Sequence, residues 1–187
     1  MPHLLPAVVP AVVVVLTVAG PVHAQPGDTS TIAEQLFNEG RALIKAKRWS
    51  DACPKFEASL RYDPVLGTRL NLAMCYEHIG KLASAWGLYR ESMLLAKQAR
   101  DGKRASFAQK QAAALEPRLP RLAIAAPARM PDGFAVTRDG TPIDPGAQGV
   151  ALFVDPGPHT IVASAPGFES FTRTVTCVDS KTETLAL

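Results

Sequence analysis

The first 24 residues contain no Lys, Arg, Asp or Glu, and the whole 187-residue chain has four histidines and three cysteines. Two of those histidines, His3 and His23, fall inside the uncharged stretch. The rest of the chain has no glycine-rich phosphate loop, no dinucleotide fingerprint, no His-Glu-x-x-His and no Cys-x-x-Cys pair. No ready-made motif for nucleotide, zinc-peptidase or paired-thiolate chemistry is therefore at hand. An excess of one charge is lacking too: the net charge is +3, and basic residues alternate with acidic ones. That distribution disfavours nucleic acid as a partner. What is present is a 47% hydrophobic content, enough for packed cores.

The uncharged stretch reads as a signal peptide over residues 1–24. Leu4 to Gly20 is apolar, and Val22-His23-Ala24 places small residues at a cleavage site. The mature chain is expected to start at Gln25, in the periplasm or outside the cell, with no transmembrane span. The alternative is an uncleaved N-terminal membrane anchor. Against it, Pro6 and Pro10 interrupt the run, and a span needs about 20 residues. No cysteine follows the run to carry a lipoprotein anchor.

Composition then divides the chain. Residues 25–30 form a polar leader, and residues 31–116 repeat apolar side chains at helical spacing. Residues 117–120 hold two prolines, and residues 121–187 switch to short alternating runs separated by turn signals. Residues 25–118 carry 15 Lys and Arg against 10 Asp and Glu, whereas residues 119–187 carry 5 against 7. The expected fold is thus multidomain, α followed by β. Ser50 is the expected N-cap of a helix that Asp63-Pro64 ends, with Pro54 near its first turn. A helix from Lys103 to Leu115 is expected to cap the α half. Asp139-Gly140 signals a tight hairpin.

The α half repeats itself with a period of 33: Gly40 maps onto Ala73, Leu43 onto Tyr76, Ala52 onto Ala85, Phe56 onto Tyr89 and Ser59 onto Ser92. This resembles the tetratricopeptide repeat, a helix–turn–helix unit, over residues 33–99. The first copy departs from the pattern in lacking an early Trp and in carrying Leu43 for Tyr. The resemblance implies two helical hairpins whose first helices line a concave groove for an extended peptide or a partner's helix. Carried onto this sequence, that rule places Arg41 and Lys45 from the first hairpin in the groove, with Asn71, Met74, Glu77 and His78 from the second. Cys53 and Cys75 would lie on neighbouring helices, where an oxidising compartment offers a disulfide and a reducing one two buried thiols.

The β half resembles the PEGA domain, a small extracytoplasmic β-sandwich. The resemblance rests on Pro131-Asp132-Gly133-Phe134, Val136 with Asp139-Gly140, Pro156-Gly157-x-His159-x-Ile161, and Gly167-Phe168. It brings no catalytic residues. Six strands are expected, around Leu122–Ile124, Phe134–Val136, Leu152–Val154, His159–Ala165, Phe171–Val178 and Thr182–Leu187. Cys177 is expected to be a buried free thiol.

The expectation for function is a non-enzymatic interaction or scaffold protein of the bacterial cell envelope, without cofactor, that binds a peptide or protein through the concave face. The alternative is a structural module whose β half contacts cell-wall polymer or the outer membrane. A remote third is a metal- or thiol-dependent enzyme built on Cys75, Glu77 and His78.

Overall fold

The computed structural model describes residues 26–187, so the expected signal peptide lies outside the described residues. Five α-helices come first: α1 (Pro26–Lys45), α2 (Trp49–Tyr62), α3 (Leu66–His78), α4 (Leu82–Gln98) and α5 (Gly102–Leu115). Each packs antiparallel against the next. Seven strands follow: β1 (Arg121–Ala125), β2 (Ala135–Arg138), β3 (Thr141–Pro142), β4 (Leu152–Phe153), β5 (Gly157–Ser164), β6 (Phe171–Cys177) and β7 (Thr182–Ala186). Among the described residues, no helix is long and apolar enough to cross a membrane.

The 33-residue period is a packing period. Ala52 and Ala85 are both 0% exposed, as are Phe56 and Tyr89, and Ser59 and Ser92 are buried beside them. Small residues let the two helices of a hairpin approach, and the aromatic fills the space that remains. Gly40 is the tightest point: a Cβ there would stand 2.8 Å from the Phe56 ring. Phe37, one turn before Gly40 on the same helix, packs on that ring as well, with centroids 5.8 Å apart.

The turns repeat as well. Helices α1, α3 and α4 each end with one residue in the left-handed region: Lys47 (φ 60°), Gly80 (φ 82°) and Arg100 (φ 57°). After each, the next N–H reaches back five residues, as Arg48 to Leu43, Lys81 to Tyr76 and Asp101 to Ala96. These bonds satisfy carbonyls that a helix end leaves open. Gly80 adopts the conformation without steric penalty; Lys47 and Arg100 do not.

Two expectations about helix starts need correction. Helix α2 begins at Trp49 with Arg48 at its N-cap, and Ser50 lies inside the first turn. The left-handed turn at Lys47 sets that start, so no side-chain cap is required. Pro54 therefore sits in the second turn, and the Ser50 carbonyl gives up its N–H partner at an exposed position. The polar leader is likewise not a leader, because α1 already runs from Pro26. Proline suits a first helical position, where its missing N–H has no partner to lose. By contrast, Tyr62 ends α2 just before Asp63-Pro64, and α5 matches the expected cap, with Asp101 accepting from the Arg104 N–H at 3.0 Å.

The β half holds two sheets, in strand orders β4-β1-β7 and β3-β2-β5-β6. β1 pairs with β7 in parallel, and the remaining pairs are antiparallel. Leu122, Ile124 and Leu185 from one sheet meet Val136, Ile161, Ala163 and Cys177 from the other in a shared core. The layout is sandwich-like. All six expected strands are present, and β3 adds a short return from the Asp139-Gly140 turn (φ 52° and 78°). Cys177 is a free, buried thiol, and burial raises its pKa.

The segment 117–120 is no loose joint. Leu119 is 1% exposed and belongs to the core that Tyr89, Ala108, Ala112 and Leu115 build in the helices. The half-buried Phe153 of β4 packs on the same core. An apolar residue in the joint thus ties the β half to the α half by ordinary burial.

Candidate functional site

Helices α1, α3 and α5 all run in the same direction, since an antiparallel partner separates each from the next. The first turns of α3 and α5 face the middle of α1 around a cavity of about 610 Å³ lined by Ala33, Glu34, Phe37, Gly67 and Arg104, among others. At the other end of α3 lies a second cleft, of about 530 Å³. Glu34, Asp63 and Arg104 stand at the first end, Glu77, His78 and Arg118 at the second.

The second cleft gathers Met74, Glu77 and His78, three of the residues placed in the groove from sequence. The Trp49 ring lies flat on His78, 3.7 Å between centroids and 11° between planes, and forms one wall. Phe107 of α5, 40% exposed, offers an apolar surface alongside Met74. Gln111 and Arg118 complete the lining. Glu77 is held from behind: the fully buried Tyr89 donates its hydroxyl to it at 2.8 Å. Burial, then that carboxylate, pushes the Tyr89 phenol above its ordinary pKa.

The other three groove residues are not brought into it. Arg41 is exposed and sits 5.8 Å from the Phe37 ring centroid. Lys45 is exposed in the last turn of α1. Asn71 is half-buried on α3, and its amide donates to the Gly67 carbonyl at 2.8 Å, which commits its donor to its own helix. Sequence reasoning missed Trp49, Phe107, Gln111 and Arg118. Phe107 and Gln111 share one helical face at a spacing of four, a signal that was available. Nothing local marks Trp49 or Arg118.

Cys53 of α2 and Cys75 of α3 form a disulfide, with Cα atoms 5.6 Å apart and both residues buried. It lies one helical turn from Trp49 on one helix and one turn from His78 on the other, beneath the aromatic wall. No free thiol therefore stands beside His78.

A second constellation occupies the seam between the halves. Lys81, the N-cap of α4, makes no side-chain cap hydrogen bond. The acceptor comes instead from Asp155, 71 residues away, which takes bonds from the Ser84 N–H (2.9 Å) and the Ser84 hydroxyl (2.6 Å). His159 follows, with Nδ1 2.6 Å from the Asp139 carboxylate and Nε2 2.7 Å from the Asp155 carbonyl. Both oxygens are acceptors, so both bonds form together when the ring carries two N–H donors. Trp86 of α4 meets Phe153 edge-on, 5.0 Å between centroids. This arrangement ties the halves together; Ser84, Asp155, Asp139 and His159 satisfy one another, whereas the buried Trp86 indole N–H has no hydrogen-bond partner.

Partial burial alone would raise the Asp139 pKa, but the His159 bond, the Thr160 N–H and nearby cations together hold it below the ordinary 3.8. A depressed carboxyl stabilises the fold above its unfolded pKa and loses that contribution as pH falls through the folded value. Acid titration of the folding midpoint is expected to fall more steeply below about pH 4 for the wild type than for Asp139→Asn. Parallel curves would refute this.

Neither a comparison with protein-family models nor one with curated proteins found a match to this chain.

Proposed function

We propose that this chain is a non-enzymatic binding or scaffold protein of the bacterial cell envelope, with a tetratricopeptide-type array as its recognition half and a PEGA-like sandwich as a fixed strut. The observation that carries this reading is the cleft between α3 and α5. It joins an exposed apolar floor, Met74 and Phe107, to an aromatic wall and a few polar groups. Ligand sites of this kind bury apolar side chains and use sparse polar groups for register. The 33-residue packing period supports the repeat assignment, and the Cys53–Cys75 disulfide supports export to an oxidising compartment.

Met74→Glu and Phe107→Glu each place a charge on the cleft floor at partly exposed positions. Both are expected to weaken binding of extended peptides at least tenfold, about 1.4 kcal/mol, while the thermal midpoint stays within a few degrees. Isothermal titration against a panel of Leu- and Phe-containing peptides measures this. If wild type binds none of them, or if both variants bind as wild type does, the groove reading fails.

The structural-module reading has its own supporting observation. At the end of the sandwich far from the helices, Pro131, Phe134, Phe168 and Phe171 surround an apolar cavity of about 260 Å³. Sedimentation of the chain with purified peptidoglycan and with vesicles, with and without Phe168→Ser, tests it.

A further inference from the structure

Arg118 lines the cleft from the short 3₁₀ turn Glu116–Arg118, yet its guanidinium is already engaged. Its Nη2 lies 3.0 Å from Asp179, which stands in the turn between β6 and β7. The backbone on both sides of this contact is fixed independently: the Ser180 N–H donates to the Arg118 carbonyl at 2.9 Å, and the Ser180 hydroxyl to the Pro117 carbonyl at 3.0 Å. Either side chain can therefore change partner without moving the chain that carries it. Both are about half exposed, 54% and 44%, so a solute reaches the pair. An exposed pair of this kind is weak and exchanges readily.

The pair also shows what the cleft accepts. A guanidinium offers five donors in a planar fork suited to a carboxylate, and the contact with Asp179 uses one edge. The other charge in the lining, the Glu77 carboxylate, accepts from the Tyr89 hydroxyl and stays anionic, so a peptide carboxylate has only Arg118 to take in this cleft. The α half is net basic, with 15 Lys and Arg against 10 Asp and Glu over residues 25–118. Resting on the groove reading above, we propose that the partner is an acidic peptide whose apolar side chain lies on Met74 and Phe107 and whose carboxylate takes Arg118. Asp179 is then an intramolecular competitor that the β half holds in the carboxylate's place.

Three series of short fluorescein-labelled peptides test this, equal in Leu and Phe and carrying Glu, Lys or Gln between them. Fluorescence anisotropy is read with wild type, Asp179→Asn and Arg118→Ala. The Glu series is expected to bind tightest. Asp179→Asn removes the competitor and strengthens Glu-peptide binding about two- to fivefold, leaving the Gln series unchanged. Arg118→Ala weakens the Glu series about tenfold and not the Gln series. Unaltered Glu-peptide affinity in Asp179→Asn would overturn the competitor. Equal binding of all three series, insensitive to Arg118→Ala but lost in Phe107→Glu, would overturn the acidic partner and leave the groove standing. Absence of binding in every series would remove the groove reading and this inference with it.

Discussion

The double variant Cys53→Ala/Cys75→Ala is expected to unfold at lower urea, with a loss of about 3 kcal/mol relative to the oxidised protein. The bond links residues 22 apart in sequence, and a loop of that size restricts the unfolded chain by about this amount in the chain-entropy account. The native state adds a second reason. Cys53 and Cys75 are 2% and 0% exposed at the α2–α3 contact, so shorter side chains leave space there. Equilibrium unfolding with and without a dithiol reductant measures the effect. Reduction should lower wild type by most of this loss, stopping short of the variant by the cost of the emptied space, and leave the variant unmoved. A difference below 1 kcal/mol, or a variant that itself responds to reductant, would contradict the assignment. The same bond fixes α2 against α3 one turn below Trp49 and His78, so peptide affinity should fall along with stability.

Gly40→Ala should destabilise by about 2 kcal/mol, although alanine is the better helix former by about 1 kcal/mol. The new methyl would stand 2.8 Å from the Phe56 ring, which is 0% exposed and also packs against Phe37. A fully buried ring packed among Phe37, Leu72 and Cys75 cannot yield without moving its neighbours. In a Phe56→Leu background the same change should cost much less, because the shorter side chain vacates the methyl's place. That non-additivity identifies the contact as the cause. Gly87→Ala is the control: on α4, with nothing within 4 Å of the added methyl, it should stabilise by about 0.5–1 kcal/mol. Thermal or urea unfolding of the four proteins decides the matter; additive losses from Gly40→Ala and Phe56→Leu would refute it.

Much of the fold was legible because its signals are short-range. Phe56 and Tyr89 each follow a small residue by four, and that spacing is one helical turn on a buried face. Asp63-Pro64 and Asp139-Gly140 act through their own backbone preferences, so the helix end and the hairpin fall where they predict. The start of α2 shows where this stops. Ser50 has capping chemistry, but the left-handed turn at Lys47 begins the helix two residues earlier, with Arg48 at the N-cap and Trp49 as the first helical residue. Sequence left open whether Cys53 and Cys75 pair; the α2–α3 contact brings their Cα atoms to 5.6 Å and joins them.

The candidate site divides along the same line. Met74, Glu77 and His78 lie within two turns of one helix, so their shared face was predictable from spacing alone. Trp49 and Arg118 reach that face from other elements, and Asn71 turns its amide to Gly67 instead of outward. The seam was wholly hidden. Ser84 and Asp155 are 71 residues apart, and no local pattern says that a sandwich turn will cap a distant helix. Sequence by itself determined the helical half with its 33-residue period, the strand set and the place where the two meet, since periodicity and turn chemistry act between near neighbours. Tertiary structure alone decided the disulfide, the aromatic wall of the cleft, the Arg118–Asp179 contact and the docking of the halves. Those depend on which surfaces burial brings together, and burial does not read sequence distance.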